Sequence, residues 1–181
     1  KPLLENQLET PKMEKVTPSN IQKISSELVK KDKIQVKKNH RGDDGKKRTK
    51  FTIVIPLKKN HLDERAKRYE KIVLKYSAKF AIDPAIVFAV IETESAFNPK
   101  AKSHIPAYGL MQLVPKSGAR DAYLYVYKKD KYLRPGYLYT PEKNIELGCS
   151  YLAKIKNVYF KGITDDEKAY ICVIPAYNTG I

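Results

Sequence analysis

Cysteine is scarce in this chain: Cys149 and Cys172 are the two among 181 residues. Two thiols exclude a multi-bridge disulfide framework and a four-cysteine zinc site. A single disulfide stays open, although two unpaired buried thiols are the commoner outcome. Tryptophan is absent, so any aromatic surface offered to a ligand is built from 13 tyrosines and five phenylalanines. No apolar run approaches the roughly 18–20 residues that a membrane-spanning helix needs. Acid is short as well. Lys and Arg number 35 against 20 Asp and Glu, a net charge of +15. That imbalance favours an anionic partner (nucleic acid, anionic lipid or an acidic polymer) without choosing among them. Hydrophobic residues make up 42% and charged residues 30%, which fits a globular protein with a real core and excludes wholesale disorder.

The excess charge is uneven. Residues 1–60 carry 16 basic and 7 acidic side chains, and residues 30–50 alone hold ten basic against three acidic. This first part reads as a small basic α+β segment. Ser19 is placed to cap a helix with Ile21, Ile24 and Leu28 on one stripe. Residues 33–38 alternate, with Ile34 and Val36 on one face. Residues 49–57 form a second strand with Phe51, Ile53 and Ile55 together. Gly42-Asp43-Asp44-Gly45 between them is turn chemistry. A helix and a hairpin of this size seldom fold alone, so the segment is expected to dock on something or to be the tail of a larger domain.

From residue 61 the pattern becomes helical. A first helix is expected over 62–81. Asp83-Pro84, an N-cap followed by proline at the first helical position, opens a second that runs to about Phe97. Pro115 opens a third and Pro141 a fourth, 141–157. Thr164-Asp165-Asp166-Glu167 reads as a capping box for a fifth. The chain is therefore expected to be mainly α: a helical domain over 61–181 preceded by a helix and a β-hairpin over 1–60.

On the second helix Val87, Val90, Ile91 and Glu94 share one stripe, whereas Glu92 projects nearly the opposite way. A carboxyl on an apolar stripe is costly when ionised, so desolvation raises its pKa. A glutamic acid that stays protonated near neutral pH is what a general acid requires. Periodicity alone leaves open a glutamate that reaches solvent or pairs with a lysine. Three further groups follow in order. Ser95 adjoins Glu94. Tyr108 precedes Gly109-Leu110-Met111-Gln112, where glycine permits close backbone approach and Gln112 offers an amide for sugar hydroxyls. Ala176-Tyr177-Asn178 stands near the end.

Glu94-Ser95, Gly109-Leu110-Met111-Gln112, the stretch Asn144-Ile145-Glu146-Leu147-Gly148 with Tyr151-Leu152, and Ala176-Tyr177-Asn178 together resemble the lytic transglycosylases. Their catalytic domain is lysozyme-like, of the goose-lysozyme and soluble-transglycosylase type. Ile55-Pro56-Leu57-Lys58-Lys59-Asn60-His61 and Asn157-Val158-Tyr159-Phe160-Lys161-Gly162-Ile163 look like a membrane-bound subfamily. The catalytic likeness covers about 60–181. The family continues beyond Ala-Tyr-Asn, so the resemblance implies a catalytic domain incomplete at its C-terminus. Pro175, just before Ala176-Tyr177-Asn178, departs from the expected helix.

The resemblance implies cleavage of the β-1,4 bond between N-acetylmuramic acid and N-acetylglucosamine in peptidoglycan, without water. Glu94 acts as acid and then as base. Tyr177 orients it through a hydrogen bond to Glu94 or to substrate. Ser95, Tyr108, Gly109, Met111, Gln112 and Asn178 contact the glycan. Glu146 is read as a structural helix residue and Asp83 as a cap. Six tyrosines, from Tyr123 to Tyr139, either offer rings to a sugar groove or pack the loops. No cofactor and no metal are expected. The implied setting is the periplasm, with an outer-membrane lipid anchor upstream of Lys1. Two alternatives remain: a non-catalytic peptidoglycan-binding protein, suggested by Pro175 and the chain end, and a nucleic-acid-binding protein, suggested by the charge. The latter lacks any helix-turn-helix, zinc or RNA-recognition signature, and no nucleic acid is expected.

Overall fold

The structure, a computed structural model, describes residues 7–8, 16–17, 19–30, 34–53 and 57–180. The chain divides into two compact units, Lys1–Glu64 and Arg65–Ile181.

In the first unit, helix α1 spans Ile21–Lys30. Its entry differs from expectation. The Ser19 hydroxyl pairs with that of Thr17, while Asn20 Oδ1 accepts the Thr17 N–H at 2.7 Å. The turn before the helix is thus closed by Asn20, whose amide side chain reaches back where the serine does not. Ile24 is buried and Ile21 half exposed; the side chain of Leu28 lies outside the described residues. Strands β1 (Ile34–Arg41) and β2 (Lys47–Ile53) pair antiparallel, with Val36 opposite Phe51. Both strands extend further toward the turn than hydrophobic alternation indicates, because backbone pairing continues through charged residues that stay in water. The Gly42 N–H closes the turn on Lys46 O at 3.0 Å, and Asp44 holds Arg48 through both carboxylate oxygens. Ile55 and Pro56 lie outside the described residues.

The expected helix over 62–81 is two helices. Helix α2 (His61–Ala66) straddles the boundary between the units, and α3 runs Glu70–Phe80. Tight bonds from Arg68 N to Arg65 O and from Tyr69 N to Ala66 O break the run, and Tyr69 turns inward to burial. Helix α4 (Pro84–Ser95) begins as expected, with Asp83 accepting from Ala85 N at 2.8 Å. It stops two residues short of Phe97. Ala96 and Phe97 are left-handed, and Phe97 is buried against Phe88.

Helix α5 (Gly118–Tyr127) starts three residues after Pro115, following a turn over 115–117. A short α6 (Pro135–Leu138) was not anticipated; its proline at the first position was the available signal. Helix α7 (Pro141–Lys154) is the centre of the unit. It packs against α3, α5, α6 and α8, and every residue from Asn144 to Ala153 is buried. A helix buried on all sides cannot show a polar stripe. Beyond it, Ile155–Tyr159 widens to a π-helical turn, closed by the Phe160 N–H on Ile155 O.

Helix α8 (Asp166–Thr179) is capped by Asp165, which accepts from Lys168 N, rather than by Thr164. Pro175 sits inside α8 without ending it. The bond it forfeits would have gone to the carbonyl of Ile171, a residue 71% exposed, so water can satisfy that oxygen. The described part of the helical unit contains no strand, only isolated bridges of Tyr108 with Lys102 and Leu113.

Candidate active site

A cleft of about 310 Å³ opens on the helical unit, and Glu94, Gln112, Tyr151, Tyr177 and Asn178 are among the residues lining it. Its remaining wall is mostly small or apolar: Ile105, Ala107, Leu113, Val114 and Gly118, with Ser103, Ser117, Thr179 and Gly180. Glu94 is the acidic residue of this lining.

Glu94 arrives from the last turn of α4. Val87, Val90 and Ile91 on the same stripe are buried, Glu94 is half-buried and Glu92 is exposed. Burial pushes the Glu94 carboxyl above its ordinary value. The cause is removal of water from the charged form. The geometry therefore keeps a proton on this carboxyl to higher pH than on an exposed glutamate.

Tyr177 arrives from α8, whose continuation past Pro175 carries it inward. Its hydroxyl donates to the Met111 carbonyl at 2.7 Å rather than to Glu94. Burial, and next the charge of Glu94, push its phenol well above the usual range; it remains a neutral donor. Its ring packs 5.5 Å from that of Tyr151.

The turn bearing Gly109-Leu110-Met111-Gln112 lies between them. Gln112 has a left-handed backbone, φ +44°, and its Nε2 folds back to Gly109 O at 2.8 Å. A non-glycine residue in that region is strained and persists only where surroundings enforce it. Of the turn, only Gln112 reaches the cleft. Met111 is fully buried, its sulfur seated where a side chain on Gly148 would be. Gly109, φ +82°, is needed for packing rather than for ligand approach. A Cβ there would collide with Leu138 O and Asn144 Nδ2.

Ser95 and Tyr108 also stay off the cleft wall. Ser95 donates to Ile91 O at 3.0 Å, one turn back in its own helix, and so does not hold the Glu94 carboxyl. Tyr108 bridges Lys102 and Leu113 and sets its ring edge-on to Tyr139. Of the tyrosines of the middle segment, Tyr123, Tyr125 and Tyr127 lie on α5, Tyr137 lies on α6, and Tyr132 is exposed. The Tyr123 ring packs tilted against Tyr127 and edge-on to Tyr137, and none of the six lines the cleft. Glu146 is held by Lys79 at 2.7 Å and by the Tyr127 hydroxyl at 2.8 Å, on the side of α7 facing α3 and α5. Cys149 and Cys172 are free thiols, and burial pushes Cys149 up to about 12. Among the described residues no group of three or more His, Cys, Asp or Glu comes together that could hold a metal ion.

Tyr151 is an aromatic lining residue to which sequence reasoning assigned no role. It lies seven residues after Asn144, nearly two turns along α7 and so on a similar face, and Gly118 makes room for its ring at 3.3 Å. Its place in the motif over 144–152 was the available signal.

The helical unit that holds this cleft is matched by a protein family, the transglycosylase SLT domain family. The model of that family, "Transglycosylase SLT domain", matches residues 71–181, and the chain belongs to it. Among its relatives is membrane-bound lytic murein transglycosylase C of Sodalis glossinidius, 42% identical over 132 residues. That match covers 72% of this chain and 36% of the relative. The Cronobacter sakazakii protein of the same name is 41% identical with the same coverage. The chain thus spans 36% of the length of these curated relatives. Among solved structures, the 70 kDa soluble lytic transglycosylase of Escherichia coli is 34% identical with a TM-score of 0.50, covering 62% of this chain and 17% of that one. An inactive glutamate-to-glutamine mutant of lytic transglycosylase Slt from Pseudomonas aeruginosa is 26% identical with a TM-score of 0.52, over 62% and 17% of the two chains. The mainly helical fold and the family expected from the motifs are both borne out.

Proposed function

We propose that this chain cleaves the glycosidic bond between N-acetylmuramic acid and N-acetylglucosamine in peptidoglycan, as a lytic transglycosylase. The observation that carries the reading is the half-buried, proton-retaining carboxyl of Glu94 in a cleft whose lining, among the described residues, holds no second acid. Ordinary glycosidases need two carboxyls, about 5–5.5 Å apart for retention and about 6.5–9.5 Å apart for inversion. One suffices where the nucleophile is part of the sugar. Protonated Glu94 gives its proton to the leaving O4 as the bond from C1 breaks. The resulting carboxylate then takes the proton of the muramyl C6 hydroxyl as O6 bonds to C1. A 1,6-anhydro ring forms, no water is consumed, and Glu94 ends as it began. Tyr177 and Asn178 flank the acid from α8, and Gln112 offers its amide to the glycan.

The names of the relatives, membrane-bound murein transglycosylases, and the inactive glutamate-to-glutamine mutant of the Pseudomonas protein support this reading. The 70 kDa soluble lytic transglycosylase is also solved in complex with bulgecin A. By the same names the protein works in the cell envelope; we place it on the periplasmic side, anchored to the outer membrane. No helix among the described residues is long and apolar enough to cross a membrane. The basic segment suits attraction to the carboxylates of the wall polymer.

The test is digestion of purified sacculi with mass analysis of the soluble products. Muropeptides ending in 1,6-anhydromuramic acid support the reading. Reducing ends, one water heavier, would show hydrolysis instead, and binding without soluble products would show a non-catalytic wall protein.

A further inference from the structure

The middle of the site is held by a residue that never reaches it. Asn144 is fully buried on α7. Its Oδ1 accepts the Met111 N–H at 2.8 Å, and its Nδ2 donates to Tyr108 O and Leu138 O, both at 2.9 Å. Both amide hydrogens and the carbonyl oxygen are thus engaged. On the far side of the same residue, the Met111 carbonyl accepts the Tyr177 hydroxyl. Met111 therefore has its N–H clamped by α7 and its C=O clamped by α8. Gly148, one turn after Asn144, receives the Met111 side chain, and Gly109 leaves room for the Asn144 amide. Gln112, the next residue, is the strained one that enters the cleft.

We infer that Asn144 is a positioning residue: through the Met111 peptide it sets both Gln112 and Tyr177 in the cleft beside Glu94. The inference rests on the function proposed above for its kinetic readout and on geometry alone for its second readout. Asn144→Ala leaves the Met111 N–H and the Leu138 carbonyl buried without this partner, while Tyr108 O keeps only the Leu113 N–H. The turn then relaxes from its strained conformation, and Gln112 and Tyr177 lose their common anchor. A displacement of about 1 Å in a site of this kind costs roughly 100-fold in rate.

The experiment compares Asn144→Ala with Val73→Ala, a truncation on α3 of a fully buried side chain that is not part of the cleft lining. Both are assayed on a soluble peptidoglycan oligosaccharide, at a temperature where both are folded. Asn144→Ala is expected to raise KM and to lower kcat by roughly 10- to 100-fold, whereas Val73→Ala keeps wild-type values. A sample that is merely part unfolded loses maximal velocity at unchanged KM. Tyr177→Phe removes the other clamp, so its effect combined with Asn144→Ala is expected to fall short of the product of the single losses. Amide hydrogen exchange of the full chain gives the arm that needs no activity. Exchange at Met111 and Gln112 should accelerate in Asn144→Ala while the rest of α7 keeps its protection. Exchange unchanged at the turn, or raised uniformly along α7, overturns the inference even if the wild type proves inactive. Unchanged KM with multiplicative losses overturns it if the wild type is active.

Discussion

The basic hairpin and the helical unit use side chains in opposite ways. On β1 and β2 the polar side chains are displayed, and even the paired apolar residues Val36 and Phe51 are 52% and 66% exposed. In α7 even Asn144, Glu146 and Ser150 are buried, and each finds a hydrogen-bond partner. Charge in water is worth little to stability and much to long-range attraction. Polar groups out of water are costly unless paired, and paired they define one geometry. The hairpin thus displays its charge to water, and the helical unit frames one half-buried carboxyl.

The largest effect should come from the acid itself. Glu94→Gln is expected to lower the turnover of sacculi by roughly 10²–10⁴-fold, while Glu92→Gln, exposed on the other side of α4, stays near wild type. Equal losses in the two would break the contrast between buried and displayed carboxyls. Next in size is overpacking at the centre. Gly148→Ala forces a Cβ onto the Met111 sulfur and should cost about 1–3 kcal/mol in thermal or denaturant unfolding. Gly45→Ala in the hairpin turn meets no neighbouring atom; its left-handed φ of +74° confines the cost to local strain, about 1 kcal/mol.

A smaller effect separates the units by pH. The folded pKa of Glu94 is raised, so between the ordinary and the raised value the folded state holds the extra proton. Stability falls as pH rises through that window and stays lower above it. Glu94→Gln removes the ionisation. Its melting temperature should match or exceed wild type above the window, and the gain should vanish below the ordinary carboxylate range. The same raised value places the alkaline limb of the pH–rate profile above that of an exposed glutamate, since the acid must enter the reaction protonated. Smallest of all, Phe51→Thr on the hairpin should move unfolding by less than about 0.5 kcal/mol. A large loss would mean that this face is buried against a partner.

Helix starts were legible where a proline or an aspartate announced them, as at Asp83-Pro84, Thr140-Pro141 and Asp165. The break at 67–69 was not, because Tyr69 continues the helical stripe and only its burial turns the chain. Of the site residues, Glu94, Gln112, Tyr177 and Asn178 do line the cleft. Met111 and Gly109 sit in the same motif yet serve packing, since a motif records that a residue is needed and not which side of the turn it faces. Tyr151 and Asn144 were present in a recognised stretch, but a helix buried on every side hides which of its residues points at the cleft.

By itself the sequence determined the helical class, the uneven charge and the placement of the Glu94 carboxyl on an apolar stripe, since each follows from local periodicity or composition. Only the tertiary structure decided that the Tyr177 hydroxyl goes to Met111, that Gly109 and Gly148 admit neighbours, and that Asn144 grips the turn. Those contacts join residues 29 to 66 positions apart. No local pattern encodes them, because the partner of a buried polar group is set by which helices pack together.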